Sequence, residues 1–173
     1  MSYKIYFVTR TALLLIITII LQMIALPQFL IDPLVNMMIF LAIILIGPYS
    51  AGMIGLLTPW IAFKNGTLPL PLEPAIPYII SGNLVMIGIF EYFYRKKYSY
   101  KLYNILIILL SSLAKFLVIT LSVEYYLELP ETVIKTIQLP QLVNTIIGGV
   151  LAIIISKILR KLGIKDLDLL NLK

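Results

Sequence analysis

The sequence predicts an all-α integral membrane protein, a bundle of six transmembrane helices with both termini in the cytoplasm. Composition is the first reason: of 173 residues, 61% are hydrophobic and only 13% charged, with a mean hydropathy of +1.02. A soluble chain needs more charge to cover its surface, so lipid is the solvent for most of this one. Continuity is the second. The apolar runs do not alternate with period two, which excludes a barrel and leaves helices that satisfy their own backbone. Charge placement is the third, because the basic residues gather on one side of the predicted spans. The whole chain, 1–173, reads as a single transmembrane domain.

The first span covers about residues 7–26 and stops at Pro27. It lacks the small-residue cleavage pattern of a signal peptide and reads as a retained helix. Asp32-Pro33 reads as an N-cap followed by proline at the first helical position, opening a second segment that ends at Gly47-Pro48. A third segment covers about 49–63. The second and third are short, about 21 Å of helix against a hydrocarbon core of roughly 30 Å, and fit either short spans or a re-entrant hairpin. The stretch 64–77 contains LPLPLEPAIP and reads as a loop too broken by proline for a helix. Its position makes it a candidate lid. The fourth span runs from Pro77 to the cluster Arg95-Lys96-Lys97, and the fifth covers about 102–123. A loop with Glu124, Glu128 and Glu131 follows, and Pro140 is expected to open the sixth span, which ends near Lys157. The tail LRKLGIKDLDLLNLK is expected at the cytoplasmic surface.

Basic residues set the orientation. Lys4 and Arg10 flank the first span, Arg95, Lys96, Lys97 and Lys101 follow the fourth, and Lys157, Arg160, Lys161 and Lys165 follow the sixth. The opposite loops hold Lys64 and Lys135 among Asp32, Glu73, Glu124, Glu128 and Glu131. The net charge of +6 therefore speaks of topology and does not call for nucleic acid.

Chemistry is narrowed as sharply. With no cysteine and no histidine, thiol nucleophiles, disulfides, Ser-His triads and most zinc sites are excluded. No two of the eight carboxylates sit at a helical spacing inside a span. The chain reads as a non-enzyme with no catalytic residues, no metal ligands and no cofactor. It carries no Walker motif either, so ATP hydrolysis would belong to partners.

Within the spans, polar residues are expected in the outer half: Gln22, Asn36, Thr58, Trp60, Ser81, Asn83, Lys115, Asn144 and Thr145. The inner half of the same helices is mostly aliphatic. Polar groups in hydrocarbon are costly unless they meet one another or a wet cavity, which predicts a pocket open outward and sealed inward by apolar packing. On the fifth helix, Asn104, Ser111, Lys115 and Ser122 share one face at about 100° per residue. Lys115 heads that stripe. It either meets an anionic or accepting part of a ligand, or pairs structurally with a loop glutamate or snorkels outward. Ala51, Gly55, Thr58 and Ala62 on the third helix form a small-residue face, as do Thr145, Gly148, Ala152 and Ser156 on the sixth. Helix packing is their expected use. Trp60, Tyr78, Tyr125 and Tyr126 fit an interfacial aromatic belt, with stacking on a ring-shaped ligand as the alternative.

The runs GPYSAGMIGLLTPWIAF (47–63), LPLPLEPAIPYIISGN (68–83) and QLPQLVNTIIGGVLA (138–152) resemble a substrate-binding S component of an energy-coupling factor (ECF) transporter. The resemblance implies a subunit that captures a vitamin or related micronutrient at its outer face in a prokaryotic plasma membrane. It also implies partners, a transmembrane coupling protein and two cytoplasmic ATPase subunits. Alanines four apart on helix one often dock the coupling protein in such proteins. Here Ala12 is followed at that spacing by Ile16, which turns attention to the small face of helix three. The candidate substrate-binding residues are Asn36, Trp60, Tyr78, Asn83, Lys115 and Asn144. The competing reading is a structural membrane scaffold or assembly factor, in which side chains fill the pocket and no ligand binds. An intramembrane enzyme built on Lys115 or a serine, or a self-contained secondary transporter, is disfavoured by the residue inventory and by the lack of internal symmetry.

Overall fold

The structure is a computed structural model describing residues 3–24, 27–96, 101–127 and 131–163, with backbone only at 3, 101 and 131–137. The described residues form six α-helices: α1 (Tyr3–Met23), α2 (Gln28–Leu45), α3 (Pro48–Lys64), α4 (Ile76–Tyr94), α5 (Lys101–Tyr126) and α6 (Glu131–Lys161). Five segments are long and apolar enough to cross a membrane: α1, α2, α4 with the short helix before it, α5 and α6. With 17 residues, α3 is about 25 Å long. Glu128, Lys97 and the tail 164–173, with its expected place at the membrane surface, lie outside the described residues.

Three boundaries differ from the sequence reading, each because of a proline. Helix α2 begins at Gln28, so Asp32 and Pro33 lie inside it and are not its cap. Pro33 lacks only the bond to the carbonyl four residues earlier, and Pro27 serves the new start by accepting from the Leu30 and Ile31 N–H groups at 2.9 and 3.3 Å. Helix α6 begins at Glu131 and continues through Pro140, as helices in bundles tolerate when neighbours restore the freed groups. The proline-rich stretch contains a 3-10 helix, Leu70–Ala75. Proline's fixed φ suits the tight turn, and the Leu72 N–H donates to Pro69 O at 2.9 Å. Leu72 and Ala75 are buried against Ile79, Ile119 and Val123, which pins this segment across α4 and α5.

Helix α2 is the central element, packed on α6, α3 and α1, and 36–46 are buried on every side. The chain reverses from α2 into α3 at Gly47, whose φ of 131° is closed to side-chain-bearing residues without strain. Lipid tails are as apolar as leucine, so helices here associate through close packing and not through escape from water. Phe40 and Phe90 meet edge to face at 4.8 Å between α2 and α4. Gly148 supplies the closest approach: a Cβ there would stand 2.7 Å from Asn36 Cβ and from Pro33 O, so α6 seats directly on the α2 backbone.

Arg95, Lys96, Lys157, Arg160 and Lys161 gather at one end of the bundle. Arg95 pairs with Glu91, Arg160 donates to the Tyr94 hydroxyl at 3.0 Å, and Tyr103 donates to Phe93 O at 3.0 Å. These contacts tie the ends of α4, α5 and α6 together. Thr11, Ser50 and Ser112 are also buried, so the helices away from the opposite end are not wholly aliphatic.

Candidate functional site

At the end opposite the basic cluster, all six helices turn polar groups toward a common cleft. The cleft is partly open, and its volume is about 70 Å³. Gln22 comes from the end of α1, Asp32 and Asn36 from the start of α2, Thr58 from the end of α3, Asn83 from the start of α4 and Lys115 from α5. Gln141 of α6 completes the polar lining, and Val35, Ile39, Ile79 and Leu68 supply apolar walls. Alternating chain direction is what brings these residues to one level.

Lys115 lies at the centre and is 3% exposed. Its ammonium donates to Asn36 Oδ1 at 2.7 Å and attracts the Asp32 carboxylate electrostatically. Asp32 is held in turn by the Gln28 side chain and by Asn144 Nδ2, the latter at 3.5 Å. A loop glutamate was the partner expected within the chain; Asp32 and Asn36 take that place. Pairing of this kind is what makes a desolvated ammonium tolerable.

The amide of Asn83 has a separate task. Pro59 has no N–H to offer the carbonyl of Gly55 four residues before it, and Asn83 Nδ2 donates to that carbonyl at 2.8 Å. Gln22 Nε2 similarly donates to Thr58 O at 3.1 Å, and Asn36 Nδ2 to Asp32 O at 2.9 Å. Three amides thus commit their NH₂ groups to main chain. The oxygens of Gln22 and Asn83, and that of Gln141, have no partner among the described residues and are shielded from water.

Glycines allow this assembly. Gly148 lies against Asn36; a Cβ at Gly55 would stand 3.3 Å from Asn83 Cβ, and one at Gly82 3.3 Å from Lys115 Cγ. Each of three polar residues therefore rests on a position where a side chain would crowd it. The small face of α6 packs as expected, with Thr145, Ala152 and Ser156 buried. Ala51, Gly55 and Thr58 of α3 are likewise buried inside the bundle and Ala62 lines the cleft, so that face packs against the chain's own helices.

Of the residues singled out in the sequence, Asn36, Asn83 and Lys115 line the cleft and Asn144 stands behind it against Asp32. Trp60 is 44% exposed and lies outside the cleft lining, because the turn of α3 that sends Thr58 and Ala62 inward sends it outward. Tyr78 also lies outside the lining, stacked on Tyr126 at 6.1 Å. On the α5 stripe, Ser111 spends its hydroxyl on Ile107 O and Ile108 O, at 2.8 and 3.1 Å. Ser81 and Thr145 bond back to Pro77 O and Gln141 O in the same way. Asp32 and Gln141 were missed by the sequence reading, and Gln22, placed among the outer-half polar residues, was left out of the substrate-binding candidates. Asp32 had a usable signal, since a carboxylate within an apolar segment marks a functional position by default; reading it as a helix cap hid that.

No curated protein and no solved structure matches the chain significantly. A family model does match, that of the ECF transporter substrate-specific component, over residues 6–160. Proteins of this family are multi-pass membrane subunits that bind a small molecule and work with an ECF module, and no catalytic family is indicated. A polar cleft within an apolar helical bundle is what such a subunit requires, and the chain belongs to the family of ECF transporter substrate-specific components.

Proposed function

We propose that this subunit captures a vitamin or related micronutrient at the outer face of a prokaryotic plasma membrane for import. In this reading all six helices cross the bilayer and both termini are cytoplasmic. The ligand passes inward when the chain associates with a transmembrane coupling protein driven by two cytoplasmic ATPases. The observation that carries the proposal is the cluster of Lys115, Asp32, Asn36, Asn83 and Gln22 around one cleft, at the end away from Arg95, Lys157 and Arg160. The positive-inside rule assigns that basic end to the cytoplasm, which turns the cleft outward.

The size of the cleft favours a gated site. A cavity of 150 Å³ is known to take benzene, about twice the volume of this cleft. A vitamin-sized ligand therefore needs the walls to part. The connection from α3 to α4 is the natural element to move, because Leu68 lines the cleft while Leu72 and Ala75 anchor the segment beside it. Asn36, Asn83 and Lys115 are the proposed contacts, with Asn144 acting through Asp32.

Mass spectrometry of small molecules co-purifying with the protein, followed by thermal-shift measurements with a vitamin panel, tests the reading. A ligand that raises Tm and protects 65–75 from hydrogen exchange supports it. No ligand from either approach would leave a scaffold as the better description. Topology reporters after Lys173 and at Lys97 should read cytoplasm, and one at Glu131 should read outside. The opposite pattern would turn the cleft inward and end the capture proposal.

A further inference from the structure

The hydrogen-bond inventory of the cleft is lopsided. Gln22 and Asn83, 4% and 2% exposed, have their NH₂ groups held by the carbonyls of Thr58 and Gly55. Turning either amide over would set oxygen against oxygen, so the orientation is fixed by chemistry. Gln22 Oε1, Asn83 Oδ1 and Gln141 Oε1 are left as buried acceptors with no donor among the described residues. An unpaired buried acceptor carries the full cost of its lost hydration. All three residues line one small cavity, and parting its walls would bring their oxygens to an entering donor.

The charges in the same cleft offset one another. Lys115 is drawn to Asp32 and bonded to Asn36 Oδ1, so the site presents no free cation to an anion. A carboxylate entering here would face three carbonyl oxygens and the Asp32 carboxylate with only a partnered ammonium in its favour. A molecule bearing N–H groups would meet the oxygens and leave the Lys115–Asp32 couple undisturbed. Val35, Ile39 and Ile79 offer apolar surface for its body.

We infer that the cleft takes a compact, uncharged molecule rich in N–H donors, an amide or an amino-substituted heterocycle, in preference to a carboxylate. This rests on the reading of the cleft as the substrate site and names the chemical class that site selects. The acceptors of Gln22, Asn83 and Gln141 set the class, and Lys115 is a structural partner of Asp32 first.

Matched probes test this on the full-length protein in detergent. Benzamide and benzoate share shape and differ in NH₂ against O⁻; 2-aminopyrimidine adds a second donor class. Dissociation constants from ligand-observed NMR, with Tm alongside, should show benzamide and 2-aminopyrimidine binding at least tenfold tighter than benzoate. Gln141→Met keeps the length, removes one acceptor from a half-buried position, and should weaken both donor probes about tenfold without lowering Tm. Benzoate binding as tightly as benzamide would overturn the donor class while leaving the cleft a substrate site. Unchanged donor-probe affinity in Gln141→Met would also overturn it, by removing that acceptor from recognition. Failure of all three probes together with the absence of any co-purified molecule would sink this inference and the substrate-site reading at once.

Discussion

Around Phe40 and Phe90, α2 and α4 meet through aromatic and aliphatic surface, with Ile39, Ile54, Met86 and Ile108 at or near zero exposure. One or two turns away, around Asn36 and Asn83, the same helices meet across a cleft and leave amide oxygens without partners. Close glycine contacts build both regions, Gly149 against Phe40 and Ile108 and Gly148 against Asn36. What differs is the side chains, and the difference separates two uses of burial. The first region gains only from fit, since lipid competes equally for apolar surface. The second holds polar groups at a cost that only a partner can relieve. A bundle with no ligand would have every reason to fill that cleft with leucine.

The largest expected effect lies in the aromatic region. Phe40→Ala should cost about 3–5 kcal/mol through the cavity it leaves. It should act on stability alone: thermal denaturation in detergent should show a large fall in Tm, while ligand affinity measured well below that Tm stays near wild type. A parallel loss of affinity would mean the two regions are one cooperative unit.

The charge couple comes next and should be asymmetric. Asp32→Asn strands the almost fully buried Lys115 and should destabilise by roughly 3 kcal/mol. Lys115→Met leaves Asp32 only partly buried, still held by Gln28 and Asn144, and should cost less. The double variant should recover much of the Asp32→Asn loss. Equal effects for the two single variants would show that Asp32 is not the lysine's counter-charge.

Glycine replacements sharpen the packing half of the comparison. Gly148→Ala places a methyl group 2.7 to 2.8 Å from α2 backbone atoms and should cost about 1–3 kcal/mol, disturbing Asn36 as it does so. Gly88→Ala meets nothing within 4 Å and should be neutral or slightly stabilising. Similar Tm values for the two would mean α6 does not seat on α2 as described.

The smallest effect is the most diagnostic. Asn83→Ala should cost about 1–2 kcal/mol because Gly55 O loses its donor. Adding Pro59→Ala restores a main-chain N–H four residues on from Gly55, so the second change should cost less in the Asn83→Ala background than alone. A double-mutant cycle on Tm measures this coupling. Strict additivity would dissociate Asn83 from the proline and free its whole amide for the ligand.

Much of this protein is legible before any folding is considered. Continuous apolar runs, absent histidine and cysteine, and basic residues on one side suffice for a helical membrane bundle without soluble-enzyme chemistry. The helical repeat brought Lys115 and Asn36 to the right depth, and the small faces of α3 and α6 announced close packing. The prolines misled. Whether Pro33, Pro140 and the prolines of 69–77 break a helix depends on whether a neighbour or a 3-10 turn accommodates the loss, and a local rule cannot see the neighbour. Tertiary structure alone decided which polar residues meet. Asp32 and Lys115 are separated by nearly half the chain, Asn83 answers a vacancy created by Pro59 on another helix, and Trp60 turns outward because α3 rotates its small face into the bundle. Periodicity gives a residue's depth and face on its own helix; the partner that relieves its burial is set by which helix comes to lie against that face.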